Sequence, residues 1–374
     1  MTQGEMNRSV ELGWKETISI TSIAIITKMF YTILPDTIRL EGSAAWYASA
    51  LSCLFAGVFF YIILNLFRMY EGKNIIEIFQ EVIGRIAGGV LGFLFYLYFL
   101  LYIAINVREV IKIIKVYNFP LTPLAVFLFV FLIAAVLVTY NGLYGVSKLS
   151  EFFLSFILLG VVAIFLLGIK QYDLNNLKPY GGYGLQNLFS YSLLRTSLFE
   201  DIFLLFLLVR EVGGTKSVKR TGTISLLLSG AFIFVSMLCY LLVFNYETGG
   251  RKISGIIEIV KNAYFNQFFQ RMESIFFLIM VIASAIAICI WFYLSTHLYA
   301  TLFQIKDKRQ ILLPTFVIVF AVAMLPQSAT EVITTFIIAI RQYSSILIFG
   351  VPILVWLIAL LKRKRGGQLA KKET

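Results

Sequence analysis

The feature that most constrains this 374-residue chain is a succession of apolar runs, each close to the ~20 residues a helix needs to cross the hydrocarbon core of a bilayer. Cut at charged or Pro/Gly-bearing loops, they number ten: about 17–35, 46–67, 87–107, 122–140, 149–169, 190–209, 222–244, 274–298, 311–325 and 342–361. The runs are continuously apolar, without the inside/outside alternation of a membrane barrel. The expected fold is therefore all-α and polytopic, one transmembrane domain over residues 1–374. Composition agrees: 59% of residues are hydrophobic and 14% charged, against about 45–50% and 25% in soluble domains. Little chain remains for a separate catalytic domain.

A net charge of +12 would point to nucleic acid in a soluble chain. Here it is a topology signal, because basic residues gather in cytoplasmic loops. With the N-terminus inside, nineteen of the 32 Lys and Arg fall in cytoplasmic segments and eleven in external ones. Both termini are expected in the cytoplasm, the basic tail 362–374 with them, and no nucleic-acid partner is implied. The first seventeen residues carry Glu5, Glu11 and Glu16 and no apolar region ending in a small-residue cleavage site, so the first run is expected to remain as a helix. The long external loop 245–273 places Ile253, Ile256, Ile257, Val260, Tyr264 and Phe268 at helical spacing, with Lys261, Asn262 and Asn266 on other faces. That pattern reads as an amphipathic helix on the outer surface, covering the core or docking a partner.

Catalytic and metal chemistry find no support. Cys53, Cys239 and Cys289 lie in apolar runs and His297 is the one histidine, so no metal, cofactor or disulfide framework is expected. His297, at the end of the eighth run, is expected at the interface. No phosphate loop, H-E-x-x-H or nucleophile with a usable His partner occurs, and no enzyme is expected.

Ionisable groups inside a span cost about 2.5–3.5 kcal/mol each at the helix centre and need a reason. Lys28 lies near the middle of the first run, and Arg195, Glu200 and Asp201 lie in the sixth. Their formal charges cancel, which predicts that the two runs face each other, with Lys28 answering a sixth-run carboxylate. For Arg195 the alternative is snorkelling to the headgroups. Runs one and six are five apart in ten, the arithmetic of two five-helix halves, about 17–169 and 190–361, related by inverted topology. In that architecture the first helix of each half is broken near the midplane. Ser and Thr enrich both runs (Thr21, Ser22, Thr27 and Thr32; Ser192, Thr196 and Ser197) and can satisfy freed backbone groups. Neither run has a central Gly, so unwinding is expected at Thr27–Lys28 and at Arg195–Ser197. In the third run Tyr98 and Tyr102 fall on a common face.

Several segments in order along residues 15–360 resemble the B subunit of endospore germinant receptors, a spore permease family of the amino acid–polyamine–organocation transporter superfamily. They are LPDTIRLEGSAAW, FPLTPLAVF, GLYGVSKLSEFF, LFEDIFLLFLL, RMESIFFL and FQIKDKRQILLP. The resemblance implies a LeuT-like 5+5 inverted repeat with a small-molecule site between helices one, three, six and eight. It implies a spore inner-membrane location, an A-type membrane subunit and a C-type lipoprotein as partners, and a germinant such as an amino acid, nucleoside or sugar. Glu200 matches the family's Phe-Glu in helix six and Glu273 the acidic start of helix eight. The chain departs from the family at Thr196, Ser197 and Leu198, and at Thr27 and Lys28, where the family often has Gly. The expected ligand-binding residues are Thr27, Lys28, Tyr31, Tyr98, Tyr102, Thr196, Ser197, Phe199 and Glu200, with Lys28, Arg195, Glu200 and Asp201 as coupling or ion-pair groups. A working proton- or cation-coupled amino acid transporter is the alternative reading of the same pocket.

Overall fold

A computed structural model of the chain describes residues 12–262, 272–326 and 337–370, with the side chains of 272, 273 and 364–370 outside the description. The expectations for Tyr264, Asn266, Phe268 and the Glu273 side chain lie outside it. Six helices are long and apolar enough to cross a membrane, and two shorter apolar helices, Leu124–Tyr140 and Arg309–Met324, accompany them. The first and sixth runs are the two that are interrupted.

The first run begins as α1 (Trp14–Ile26), tightens into a 3-10 turn at Thr27–Phe30, and resumes as α2 (Ile33–Glu41). Between them Tyr31 is extended, at φ −89° and ψ −157°. Pro35 supplies a local cause. A continuous helix would require its missing N–H to bond the Tyr31 carbonyl, against which its ring would clash. In the first turn of a new helix that N–H is not needed.

Next come α3 (Ala45–Met69), α4 (Ile75–Ile83), α5 (Arg85–Tyr117), α6 (Leu124–Tyr140) and α7 (Gly142–Gly168). The sixth run starts as α8 (Leu185–Leu194), passes through a nine-residue 3-10 stretch, Arg195–Phe203, and ends in the short α9 (Leu204–Leu207). Runs of 3-10 geometry beyond three or four residues are uncommon and mark strain or a hinge. The rest is α10 (Gly214–Val243), α11 (Tyr246–Gly249), α12 (Gly255–Asn262), α13 (Met272–Phe303), α14 (Arg309–Met324), α15 (Ile338–Ser345), a π-helical turn at Ile346–Gly350 and α16 (Val351–Ala370).

Close packing between α3 and α10 rests on small residues. A Cβ on Gly222 would lie 2.3 Å from the Phe60 ring, and one on Gly230 2.5 Å from Cys53 Sγ. Small residues let backbones approach where no hydrophobic force separates helix from lipid. Packed against α7 and α13 lies α12, with Ile256, Ile259 and Val260 buried against the protein and Lys261 and Asn262 exposed. Ser254, just before it, donates to the Phe30 carbonyl at 2.9 Å, an acceptor freed where α1 ends.

Candidate functional site

The two interruptions meet. The Lys28 ammonium lies 2.7 Å from Asp201 Oδ2 and 3.4 Å from Glu200 Oε1, and donates to the carbonyls of Ser197 at 3.0 Å and Leu198 at 3.2 Å. Those carbonyls lie inside the 3-10 stretch, whose poorer hydrogen-bond geometry leaves a carbonyl lone pair for a second donor. The ammonium is thus held by backbone oxygens of one interrupted helix and by two carboxylates. All three charged side chains are buried, and such charges persist only when paired and hydrogen-bonded.

Aromatic donors complete the pairing. Tyr98 Oη donates to Glu200 Oε2 at 2.8 Å, Trp291 Nε1 to Asp201 Oδ1 at 2.8 Å, and Tyr102 Oη reaches the Asp201 carboxylate at 3.4–3.5 Å. The Tyr98 and Tyr102 rings stack at 5.6 Å, and Trp291 meets Tyr102 edge-on at 4.9 Å. Each of these donors meets a carboxylate oxygen, so together they orient the two carboxylates and satisfy oxygens that Lys28 does not reach.

A second charged layer lies outward of the first. Arg341 on α15 contacts Asp36 of α2 and places Nη2 2.7 Å from Glu109 Oε1 of α5. Its Nη1 donates to Thr32 Oγ1 at 2.7 Å. Thr32 in turn gives its backbone N–H to Glu109 at 2.9 Å, which satisfies a donor exposed where α2 begins. Arg39 completes the layer, 3.0 Å from Asp36 Oδ1.

Between the layers is a cavity with Lys28, Tyr102, Ser197 and Glu200 on one side and Glu109 and Arg341 on the other. The space that a water centre can reach there is about 20 Å³, room for roughly one water. Apolar Ile33, Ile105, Ile337 and Ile340 form much of the remaining wall. Anything of amino acid size must displace part of the lining to enter.

Thr27, Tyr31, Tyr98, Thr196 and Phe199, expected at the ligand site, are not on this wall; Tyr98 stands behind it, on Glu200. Thr27 bonds back to the Ile23 carbonyl at 2.7 Å and reaches the Ala283 carbonyl of α13 at 3.4 Å. Thr196 bonds the Leu193 carbonyl at 2.8 Å. Phe199 is fully buried on the side of Gly230 and α10, because adjacent residues of the 3-10 stretch point in different directions. Tyr31 is fully buried and its hydroxyl has no hydrogen-bond partner among the described residues. Snorkelling of Arg195 is overturned, since its side chain is enclosed by protein at 5% exposure. Nor does it join the sixth-run carboxylates, which are taken by Lys28. His297 is enclosed by protein as well, with Nδ1 2.8 Å from Lys308 Nζ. Burial lowers the Lys308 ammonium from its ordinary value.

Asp36, Glu109, Arg341 and Trp291 were not expected at the site. Arg341 falls one residue outside the tenth run and was counted among external loop charges. Glu109 lies beyond the end of the third run because α5, at 33 residues, continues past the apolar stretch.

A profile of the spore permease family, described as spore germination protein, matches residues 12–332. Among relatives in Bacillus subtilis (strain 168), the chain is 23% identical to spore germination protein B2 over 370 residues, 96% of this chain and 98% of that protein. It is 20% identical to spore germination protein KB over 307 residues, 80% and 82% of the two chains. Spore germination protein A2 is 22% identical over 317 residues, 82% and 84%. Among solved structures, a Na⁺-coupled sialic acid symporter in a substrate-bound outward-open state superposes with a TM-score of 0.64 at 12% identity. It covers 92% of this chain and 78% of that one. Mhp1, a nucleobase-cation-symport-1 family transporter in a closed conformation with bromovinylhydantoin bound, gives 0.60 at 12% identity over 84% and 74%. At these identities the likeness establishes the fold, the LeuT-like inverted repeat.

Proposed function

The chain belongs to the spore permease family of spore germination proteins, and from that premise we propose that it is the transporter-fold subunit of a spore germinant receptor. It binds a small germinant, an amino acid by preference, at the paired interruptions of the first and sixth runs. It passes the resulting shift to an A-type membrane subunit and a C-type lipoprotein in the spore inner membrane, with both termini cytoplasmic. The observation that carries the reading is the closed cavity between two charged layers, with a fixed ammonium on the carbonyls of Ser197 and Leu198. A tethered ammonium on those oxygens takes the place of an exchangeable metal cation, which argues against coupling to a sodium gradient there. What remains is a two-state element that a ligand biases by its differential affinity for the two states.

The competing reading is a proton- or cation-coupled amino acid transporter, favoured by the excess of one carboxylate over the ammonium at Lys28, Glu200 and Asp201. Reconstitution separates the two. Purified protein in liposomes is expected to bind an amino acid without accumulating it under either a proton or a sodium gradient. Gradient-dependent uptake would overturn the sensor reading in favour of the transporter.

A further inference from the structure

The cavity wall keeps two acceptors that no group of the described protein uses. Three donors reach Glu109, and all take one oxygen, Oε1: the Thr32 backbone N–H at 2.9 Å, the Thr32 hydroxyl at 2.7 Å and Arg341 Nη2 at 2.7 Å. Its Oε2 takes none among the described residues and is not sealed in protein, so it faces the cavity that the side chain lines. Asn106 lies three residues earlier on α5, about one turn away on the same face. Its Nδ2 donates to the Tyr102 carbonyl at 2.7 Å. A carbonyl can only accept, so the amide is turned with its nitrogen there and Oδ1 away from it. That oxygen also takes no donor among the described residues and is not sealed in protein, on a side chain of the cavity wall. Both residues are deeply buried, Asn106 at 7% exposure and Glu109 at 1%.

Two unused acceptors select what can come between the layers. An anion placed beside them would face the carboxylates of Glu109 and Glu200 and the amide oxygen, and would be repelled. The formal charges around the cavity carry the same preference. Arg341 and Arg39 balance Asp36 and Glu109, whereas Lys28 leaves one of Glu200 and Asp201 unbalanced. The group that fits is therefore cationic and carries N–H donors. It is also small, since the reachable space of about 20 Å³ takes roughly one water. The ammonium end of a primary amine meets all three conditions. A hard metal ion wants about six or more oxygens, more than this face of α5 offers. Ile33, Ile105, Ile337 and Ile340 supply apolar wall for the hydrocarbon next to that ammonium.

We infer that Asn106 Oδ1 and Glu109 Oε2 form the subsite for the ligand's ammonium group, so that α5 reads the germinant at its amino end. The rest of the molecule takes the room that opens when Arg341 leaves Glu109, because the closed cavity admits only the headgroup. An arriving ammonium also competes with the guanidinium for the Glu109 carboxylate. The same contact that selects the ligand thereby loosens Arg341, which gives the ligand a differential affinity for the opened state. The inference rests on the amino acid reading of the site and assigns one end of that ligand.

The test uses the full chain, purified into nanodiscs, with binding read by calorimetry. The common amino acids are screened first. Each that binds is set against the acid that lacks its amine and the amine that lacks its carboxylate, as propionate and ethylamine for L-alanine. At least one amino acid is expected to bind, its amine to keep part of the affinity, and its des-amino acid to bind at least about tenfold more weakly. Asn106→Leu removes one acceptor at similar volume. Glu109→Gln leaves one oxygen for Thr32 and Arg341 and puts a donor in place of Oε2. Each is expected to lower affinity for the amino acid at least about tenfold. A wild-type measurement decides the matter where a variant does not fold. Solid-state NMR with an isotopically labelled ligand nitrogen and labelled Asn and Glu side-chain carbons is expected to find that nitrogen within about 4 Å of an Asn Cγ and a Glu Cδ. Unchanged affinity in both variants overturns the subsite and leaves the amino acid reading standing. So does a des-amino acid that binds as tightly as its amino acid, or a bound ligand with no Asn Cγ near its nitrogen. If no amino acid binds the wild type, both the subsite and the amino acid reading fall.

Discussion

The two charged layers differ in how they are held. At the midplane, Lys28 is fixed by four oxygens: two are backbone carbonyls of the 3-10 stretch, and two belong to carboxylates anchored by Tyr98, Tyr102 and Trp291. In the other layer, the guanidinium of Arg341 on α15 is held by side chains alone, those of Thr32, of Asp36 on α2 and of Glu109 on α5. Backbone oxygens move only if a helix rewinds, whereas side-chain partners part when one short helix shifts. The comparison teaches a division of labour. On that difference, the Lys28 layer is expected to stay as a fixed frame and the Arg341 layer to be the part that opens.

The sharpest way to break the comparison is Lys28→Met, which leaves Glu200 and Asp201 facing each other without a cation. Loss of one partner from a buried ion pair costs about 3–5 kcal/mol, and thermal unfolding of the purified variant should show a loss of that order. Adding Asp201→Asn returns the trio to its original net charge and should recover part of it, a positive coupling in a double-mutant cycle. Additive losses would mean that the pair acts as two independent groups.

Arg341→Gln probes the outer layer. Arg39 remains on Asp36, so a smaller loss of stability than in Lys28→Met is expected, together with freer access to the cavity. With the native cysteines replaced, an Asn106→Cys reporter on the cavity wall should react with a hydrophilic thiol reagent at least about tenfold faster in the Arg341→Gln background. Equal rates would contradict an opening role for this layer.

Smaller effects sharpen the picture. Tyr98→Phe removes one hydrogen bond to a carboxylate, worth about 1.5–3 kcal/mol, and should weaken germinant response while the protein still folds. Ser254→Ala removes one neutral bond to the Phe30 carbonyl, worth about 1 kcal/mol. Its signature should be faster hydrogen exchange confined to residues 27–33 and 254–260.

Much of this was legible in the sequence, and the reasons are physical. Lys28, Glu200 and Asp201 stand out because, Arg195 apart, nothing else in their runs is charged, and the inverted-repeat arithmetic predicts that the two interruptions meet. Pro35 was a readable cause of the first one. Asp36, Glu109 and Arg341 were hidden by the rule that ends an apolar run at a charge, since each sits just past such an end. The fold then draws them inward, because α2 resumes beyond the interruption and α5 overshoots the apolar stretch. Trp291 gave no signal, because an indole in an apolar run looks like any packed aromatic until its N–H is seen against Asp201.

The most direct test of the central claim is a distance measurement across the outer layer. Spin labels at Tyr343 on α15 and Val116 on α5, both exposed, report the separation of the helices that carry Arg341 and Glu109. In a cysteine-replaced protein in nanodiscs, a saturating amino acid ligand should change the distance distribution, and Arg341→Gln should change it without ligand. A single distribution, unmoved by a ligand that demonstrably binds and by Arg341→Gln alike, would contradict the account.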